Sequence, residues 1–186
     1  MPRKKLLKQS ENPYHIYNRV ISKRPYPKEF IDMIWDTFCD NLKIISWAYG
    51  VRIHQFVLMD NHYHMIVDTP DENIDDAIAY LQREISKELN LLAGSQDFRF
   101  QGRYRWKLIS NEYQYANTYR YVANNPVEGG LSRSAINYKY SSLNGQYGLN
   151  KLEIPIHKCR AFTHAVPEDL EDQAEWLGEN ITQVSA

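Results

Sequence analysis

Hydrophobic period alternates between two and about 3.6 residues along this chain, twice over, and that order of elements admits few folds. Residues 14–20, aromatic and β-branched after Pro13, read as a strand. Apolar positions at Phe30, Ile31, Ile34, Trp35, Phe38, Leu42, Ile45 and Ala48 predict a helix over 29–49, stopped by Gly50. Residues 51–59 and 62–67 are two further strands. Asp60 and Asn61 join them, residue types that tolerate the positive φ of a two-residue hairpin turn. Ile74, Ala77, Ile78, Leu81, Ile85 and Leu89 share one face of a second helix over 73–92, and residues 104–109 form a fourth strand. The order β-α-β-β-α-β is the split βαβ pattern of an α+β, ferredoxin-like antiparallel sheet with helices on one face.

Beyond the fourth strand, residues 111–125 spell a helix that starts and stops cleanly. Asn111 is a capping residue with Gln114 three positions on, and Pro126 pushes its predecessor out of the helical region. Residues 127–147, rich in Gly, Ser, Asn and Tyr, are expected to wrap the surface, and one short helix is expected around 170–177. The expected division is one domain over residues 1–150 and an acidic C-terminal tail over 151–186.

Charge enters here because the formal net of −1 averages unlike parts. Residues 161–186 hold six acidic side chains and no Lys or Arg, which leaves 22 basic against 17 acidic residues before them, a net of +5. Two basic clusters stand out: Arg3, Lys4, Lys5 and Lys8, then Arg99, Arg103, Arg105 and Lys107. Such clusters can grip phosphates, although most are only solvated surface. The second interleaves with Tyr104 and Trp106, as a single-strand groove requires. Plain strand alternation with both aromatics turned inward explains it equally well.

The sharpest chemical feature is His62-Tyr63-His64. On a strand the two histidines face the same way with Cα atoms ~6.5–7 Å apart, close enough for both imidazoles to meet one ion. Taken alone, such a pair is more often two ordinary histidines at a strand end. On the helix over 111–125, Tyr115, Tyr119 and Val122 follow a core stripe. Tyr121 belongs to a polar one with Gln114, Thr118 and Asn125, and Asn125 lies one turn from it.

In order along the chain, YHIYNR, MDNHYHMIV, FQGRYRWKLI, YRYVANNPVEGGL and YKYSS resemble the HUH single-tyrosine transposases. Among these the likeness is to the REP-associated tyrosine transposases, relatives of the insertion-sequence transposases that move as single-stranded DNA, and it spans about residues 14–147. The resemblance implies a transposase and endonuclease that cuts and rejoins single-stranded DNA, at hairpin-forming repeats, through a 5′-phosphotyrosine. Tyr121 would be the nucleophile, His62, His64 and Asn125 the ligands of a divalent metal (Mg²⁺ or Mn²⁺), and Arg99, Arg103, Arg105 and Lys107 the DNA grip. One departure is Asp60, where the family has proline before Asn-His.

Two rivals remain open at this stage: a domesticated binder of structured nucleic acid that no longer cuts, and a metal-dependent hydrolase that uses water. The chain shows no secretory signal and no apolar run near the ~20 residues that span a bilayer. Cys39 and Cys159 lie far apart without CxxC spacing. A reduced, cytoplasmic, nucleoid-associated monomer or homodimer, with no membrane partner, is therefore expected.

Overall fold

The computed structural model describes residues 7–22, 24–94 and 98–179. The cluster members Arg3, Lys4 and Lys5 and the end of the acidic segment lie outside them. Four strands, β1 (Tyr14–Arg19), β2 (Arg52–Leu58), β3 (His62–Asp68) and β4 (Arg105–Leu108), form one sheet in the order β2-β3-β1-β4. Each neighbouring pair is antiparallel. This is the split βαβ arrangement that the periodicity predicts. After a 3-10 turn at Lys28–Phe30, helix α1 (Ile31–Ala48) packs beside α2 (Ile74–Ala93) on one face of the sheet.

The packing follows from strand alternation. Tyr14 and Ile16 of β1, Tyr63, Met65 and Val67 of β3, and Phe56 and Leu58 of β2 point to one side, where they meet Ile34, Phe38, Leu42 and Ile45 of α1. Ile74, Ile78, Leu81 and Ile85 of α2 complete that core. Each such fully buried large side chain stabilises by about 1.5–3 kcal/mol before entropy is charged against it. Gly94, at φ 59°, ends α2 in the left-handed conformation.

The opposite face carries helix α3 (Glu112–Glu128), whose Tyr115, Tyr119, Val122 and Ala123 pack with Val57 of β2 and Ile66 of β3. Asn111 caps α3 by accepting from Gln114 N at 2.9 Å, and Gln114 Oε1 reaches back to Ser110 N at 3.0 Å. The expected stop before Pro126 is corrected: the helix runs through it to Glu128. Proline here removes a single amide of the last turn. The turn still closes through Gly129 N to Asn125 O (2.8 Å) and Leu131 N to Pro126 O (2.8 Å).

The hairpin also differs from expectation. Glu72 is the one non-glycine residue with positive φ among those described, so Asp60 and Asn61 turn without it. Their carbonyls are taken by Tyr26 N (2.6 Å) and Val20 N (3.0 Å), which hold the loop from outside.

Residues 127–147 do more than wrap the surface, because the free edge of β2 needs partners. Tyr140 O accepts from Leu58 N (2.9 Å), Ser142 Oγ accepts from Phe56 N (3.0 Å), and Ser141 caps helix α4 (Ser142–Gln146). The acidic segment is packed as well. His157 N donates to Ile53 O (2.7 Å), and Cys159, Phe162, Val166 and Leu177 join the α3 core. Helix α5 (Leu170–Leu177) brings Trp176 against Tyr119 and under the Arg120 guanidinium. No helix among the described residues is long and apolar enough to cross a membrane.

Candidate active site

Strand alternation leaves His15 and Tyr17 of β1 and His62 and His64 of β3 on the α3 side of the sheet. Tyr17 stands opposite His64, and Arg19 opposite His62. In this region Tyr17, Asn18, Arg19, His62, His64, Gln101, Arg105 and Tyr121 line a cavity of about 420 Å³. Tyr121 is 45% exposed at its mouth, whereas Tyr115 and Tyr119 on the same helix are 3% and 4% exposed. The ring of Tyr121 stands edge-on to His64 (centroids 5.6 Å, 86°) and to His15 (5.7 Å, 75°). Helix α3 therefore delivers one of its tyrosines to the histidine pair and spends two others on the core.

The histidines are held neutral. Burial pulls His64 down to about 2, helped by the nearby His15, His62 and Arg19. Burial, then the charge of Arg19, also lowers His62. Burial and Lys107 bring His15 to about 4. Neutral imidazoles keep the lone pair that a metal needs. His62 Nδ1 lies 2.9 Å from Asn61 Oδ1, an atom that can only accept, so the proton sits on Nδ1 and Nε2 is left for a ligand.

The sheet and α3 thus bring His62, His64 and Tyr121 together as the sequence predicts, and Asn125 only in part. Asn125 is buried, and its Nδ2 donates to Tyr121 O at 2.6 Å. That bond ties down the amide nitrogen and leaves Oδ1 as the atom available to an ion, although Asn125 is not among the residues that line the cavity. Among the described residues no group of three or more His, Cys, Asp or Glu side chains is arranged to hold a metal. A donor set of two imidazoles and one amide oxygen fits a divalent ion with coordination positions left for substrate.

The basic cluster divides. Arg105 lines the cavity, and Lys107 follows on the same face of β4, opposite His15. Arg103 is tied to Asp75 at 2.5 Å and stacks over Tyr104, away from the cavity lining. Arg99 is exposed, with its carbonyl accepting from Ile21 N. Tyr104 and Trp106 pack toward the α1–α2 core, as plain strand alternation requires. Sequence reasoning missed Arg19 and Gln101 as cavity residues and His15 as a neighbour of His64. The only local sign of His15 was its alternation with Tyr17 in YHIYNR.

Comparison with known proteins bears on the family and the fold. The family model described as "Transposase IS200 like" matches residues 8–125. The structure of the REP associates tyrosine transposase bound to a REP hairpin aligns with a TM-score of 0.65 at 17% identity, covering 82% of this chain and 90% of that one. A candidate transposase from Deinococcus radiodurans aligns at 15% identity with a TM-score of 0.43, over 67% of this chain and 97% of that one. Among curated protein sequences none matches.

Proposed function

The chain belongs to the IS200-like transposase family, and on that premise we propose that it cleaves and rejoins single-stranded DNA with Tyr121 as nucleophile. The observation that carries this reading is the placement of Tyr121. It is the tyrosine of α3 that reaches the cavity, and its ring lies edge-on to His64 within the basic rim formed by Arg19 and Arg105.

The phenol oxygen attacks phosphorus and gives up its proton. The bond to the 3′ oxygen breaks, leaving a 5′-phosphotyrosine and a free 3′-OH. Because the linkage conserves the phosphodiester bond, a 3′-OH can run the step backwards and join a different end. His62 and His64, with Asn125 Oδ1 as the third ligand, would hold Mg²⁺ or Mn²⁺. When bound, such an ion neutralises charge on the scissile phosphate and orients it. Arg19 and Arg105 supply fixed positive charge beside the same phosphate, and Tyr17, stacked on His64, adds aromatic surface to the cavity wall.

The substrate we propose is a single strand flanking a hairpin. The structural neighbour is bound to a REP hairpin, and the cavity rim combines charge with aromatic surface. The test is incubation of the full chain with labelled single-stranded hairpins carrying flanks, followed by a denaturing gel. A slow-migrating protein–DNA adduct that needs Mg²⁺ or Mn²⁺ and disappears in EDTA is the expected result. Cleavage without an adduct would favour water as nucleophile. Retention of the DNA without cleavage, at every metal tried, would mean that the chain binds and does not cut.

A further inference from the structure

We propose that His15 is a positioning residue for the metal pair: one hydrogen bond from His64 to His15 sets which nitrogen of His64 is free to bind an ion. The inference rests on the metal-assisted reading above and adds to it a residue outside the HUH motif, 49 positions earlier in the chain.

His15 and His64 sit on adjacent strands, on the same face of the sheet, at diagonal positions of the β1–β3 register. His15 Nε2 lies 2.9 Å from His64 Nδ1, with both side chains buried. Their rings are nearly parallel, 18° apart, with centroids separated by 5.2 Å. Together with the short N···N contact, that separation describes two imidazoles joined edge to edge rather than stacked face to face.

An N···N contact of 2.9 Å holds a single proton, so one ring donates and the other accepts. If His64 donates from Nδ1, its lone pair resides on Nε2 and can ligate an ion, and His15 carries its own proton on Nδ1. If His15 donates instead, His64 must carry its proton on Nε2, and it then has no lone pair to offer. The two arrangements have the same heavy-atom geometry, yet only the first makes His64 a ligand. His62 faces no such choice, because its partner, Asn61 Oδ1, is acceptor-only. The site therefore contains one histidine with a fixed tautomer and one whose tautomer is set by His15. Tyr121 lies edge-on to both members of the pair, so a turn of either ring also disturbs the wall against which the nucleophile rests.

The test uses the full chain, labelled with ¹⁵N-histidine and free of metal. Long-range ¹H–¹⁵N spectra should show His64 protonated on Nδ1 in the wild type. His15→Gln, whose amide oxygen can accept the same bond, should keep that tautomer, and His15→Leu should lose it. Mn²⁺ affinity, measured by calorimetry, should fall about 10–100-fold in His15→Leu, the range expected when a partner behind a ligand is removed, and should largely recover in His15→Gln. A wild-type His64 protonated on Nε2, or a His15→Leu protein that binds Mn²⁺ as the wild type does, overturns the proposal. So does equal loss in the Gln and Leu variants, which would mean that His15 only fills space. His64→Ala separates this from the reading beneath it: undiminished Mn²⁺ binding in that variant removes the histidine metal site itself, and the role of His15 with it.

Discussion

Replacing Tyr115, Tyr119 and Tyr121, three of the four tyrosines of α3, one at a time by phenylalanine should separate chemistry from packing, because each replacement removes a single oxygen from a different environment. Tyr121 is 45% exposed, so Tyr121→Phe should change stability by no more than about 0.5 kcal/mol, as surface substitutions do. It should nevertheless abolish the covalent adduct, since the missing oxygen is the nucleophile. Tyr115→Phe should do the reverse. The Tyr115 hydroxyl lies 3.1 Å from His54 Nδ1, and His54 Nε2 lies 3.0 Å from Asp68 Oδ2, while Arg52 Nε donates to Asp68 Oδ1 at 2.6 Å. Removing the hydroxyl leaves a buried imidazole nitrogen without its donor, at a cost of about 1–3 kcal/mol. For a chain of this size that corresponds to a melting point lower by about 2–12 °C. Tyr119→Phe removes a buried hydroxyl near Gln173 and should fall between, at about 1 kcal/mol. The assays are a denaturing gel for the protein–DNA adduct and a thermal melt for stability, each run on all three variants. An adduct formed by Tyr121→Phe at the wild-type rate would refute the assignment. Loss of the adduct in a Tyr119→Phe protein that melts normally would do so equally.

Salt dependence should divide the basic cluster: Arg105→Ala should lower the slope of log affinity against log salt for a single-stranded hairpin by about 0.7–1. Arg103→Ala, already neutralised by Asp75, should leave it unchanged, and fluorescence anisotropy across a KCl series reads both. Stability should fall as pH drops below about 6.5, because the unfolded chain then takes up protons that buried His15, His62 and His64 refuse. Each such histidine contributes a slope of up to about 1.4 kcal/mol per pH unit, above its folded value, and urea melts that are flat from pH 7 to 5 would contradict the neutral burial. Asn125→Ala should weaken Mn²⁺ binding and remove the Nδ2 bond to Tyr121 O, with calorimetry and melting measured together. A stability loss with metal affinity intact would make Asn125 a helix-end residue only.

Much of this molecule is written in short-range pattern. The alternation of Tyr14, Ile16 and Tyr63, Met65, Val67, and the helical spacing of Ile34, Phe38, Leu42 and of Ile78, Leu81, Ile85, are visible in the chain because burial on one face repeats with the element's own period. The same logic sets Tyr121 on a different stripe from Tyr115 and Tyr119, and the cap at Asn111 needs only residues three apart. What could not be read this way depends on groups far apart in sequence. Helix α3 passes through Pro126 because its last turn finds other donors, a balance that the local preference for an extended residue before proline does not contain. Arg103 and Arg105 look alike in the sequence and diverge because Asp75, on helix α2, neutralises one of them. His15 lies 49 residues from His64, and the register of β1 on β3 sets the two imidazoles 2.9 Å apart. Period reveals which face a side chain takes, but only the pairing of strands and the docking of α3 select its neighbour on that face, and at a site built from hydrogen bonds the neighbour decides the chemistry.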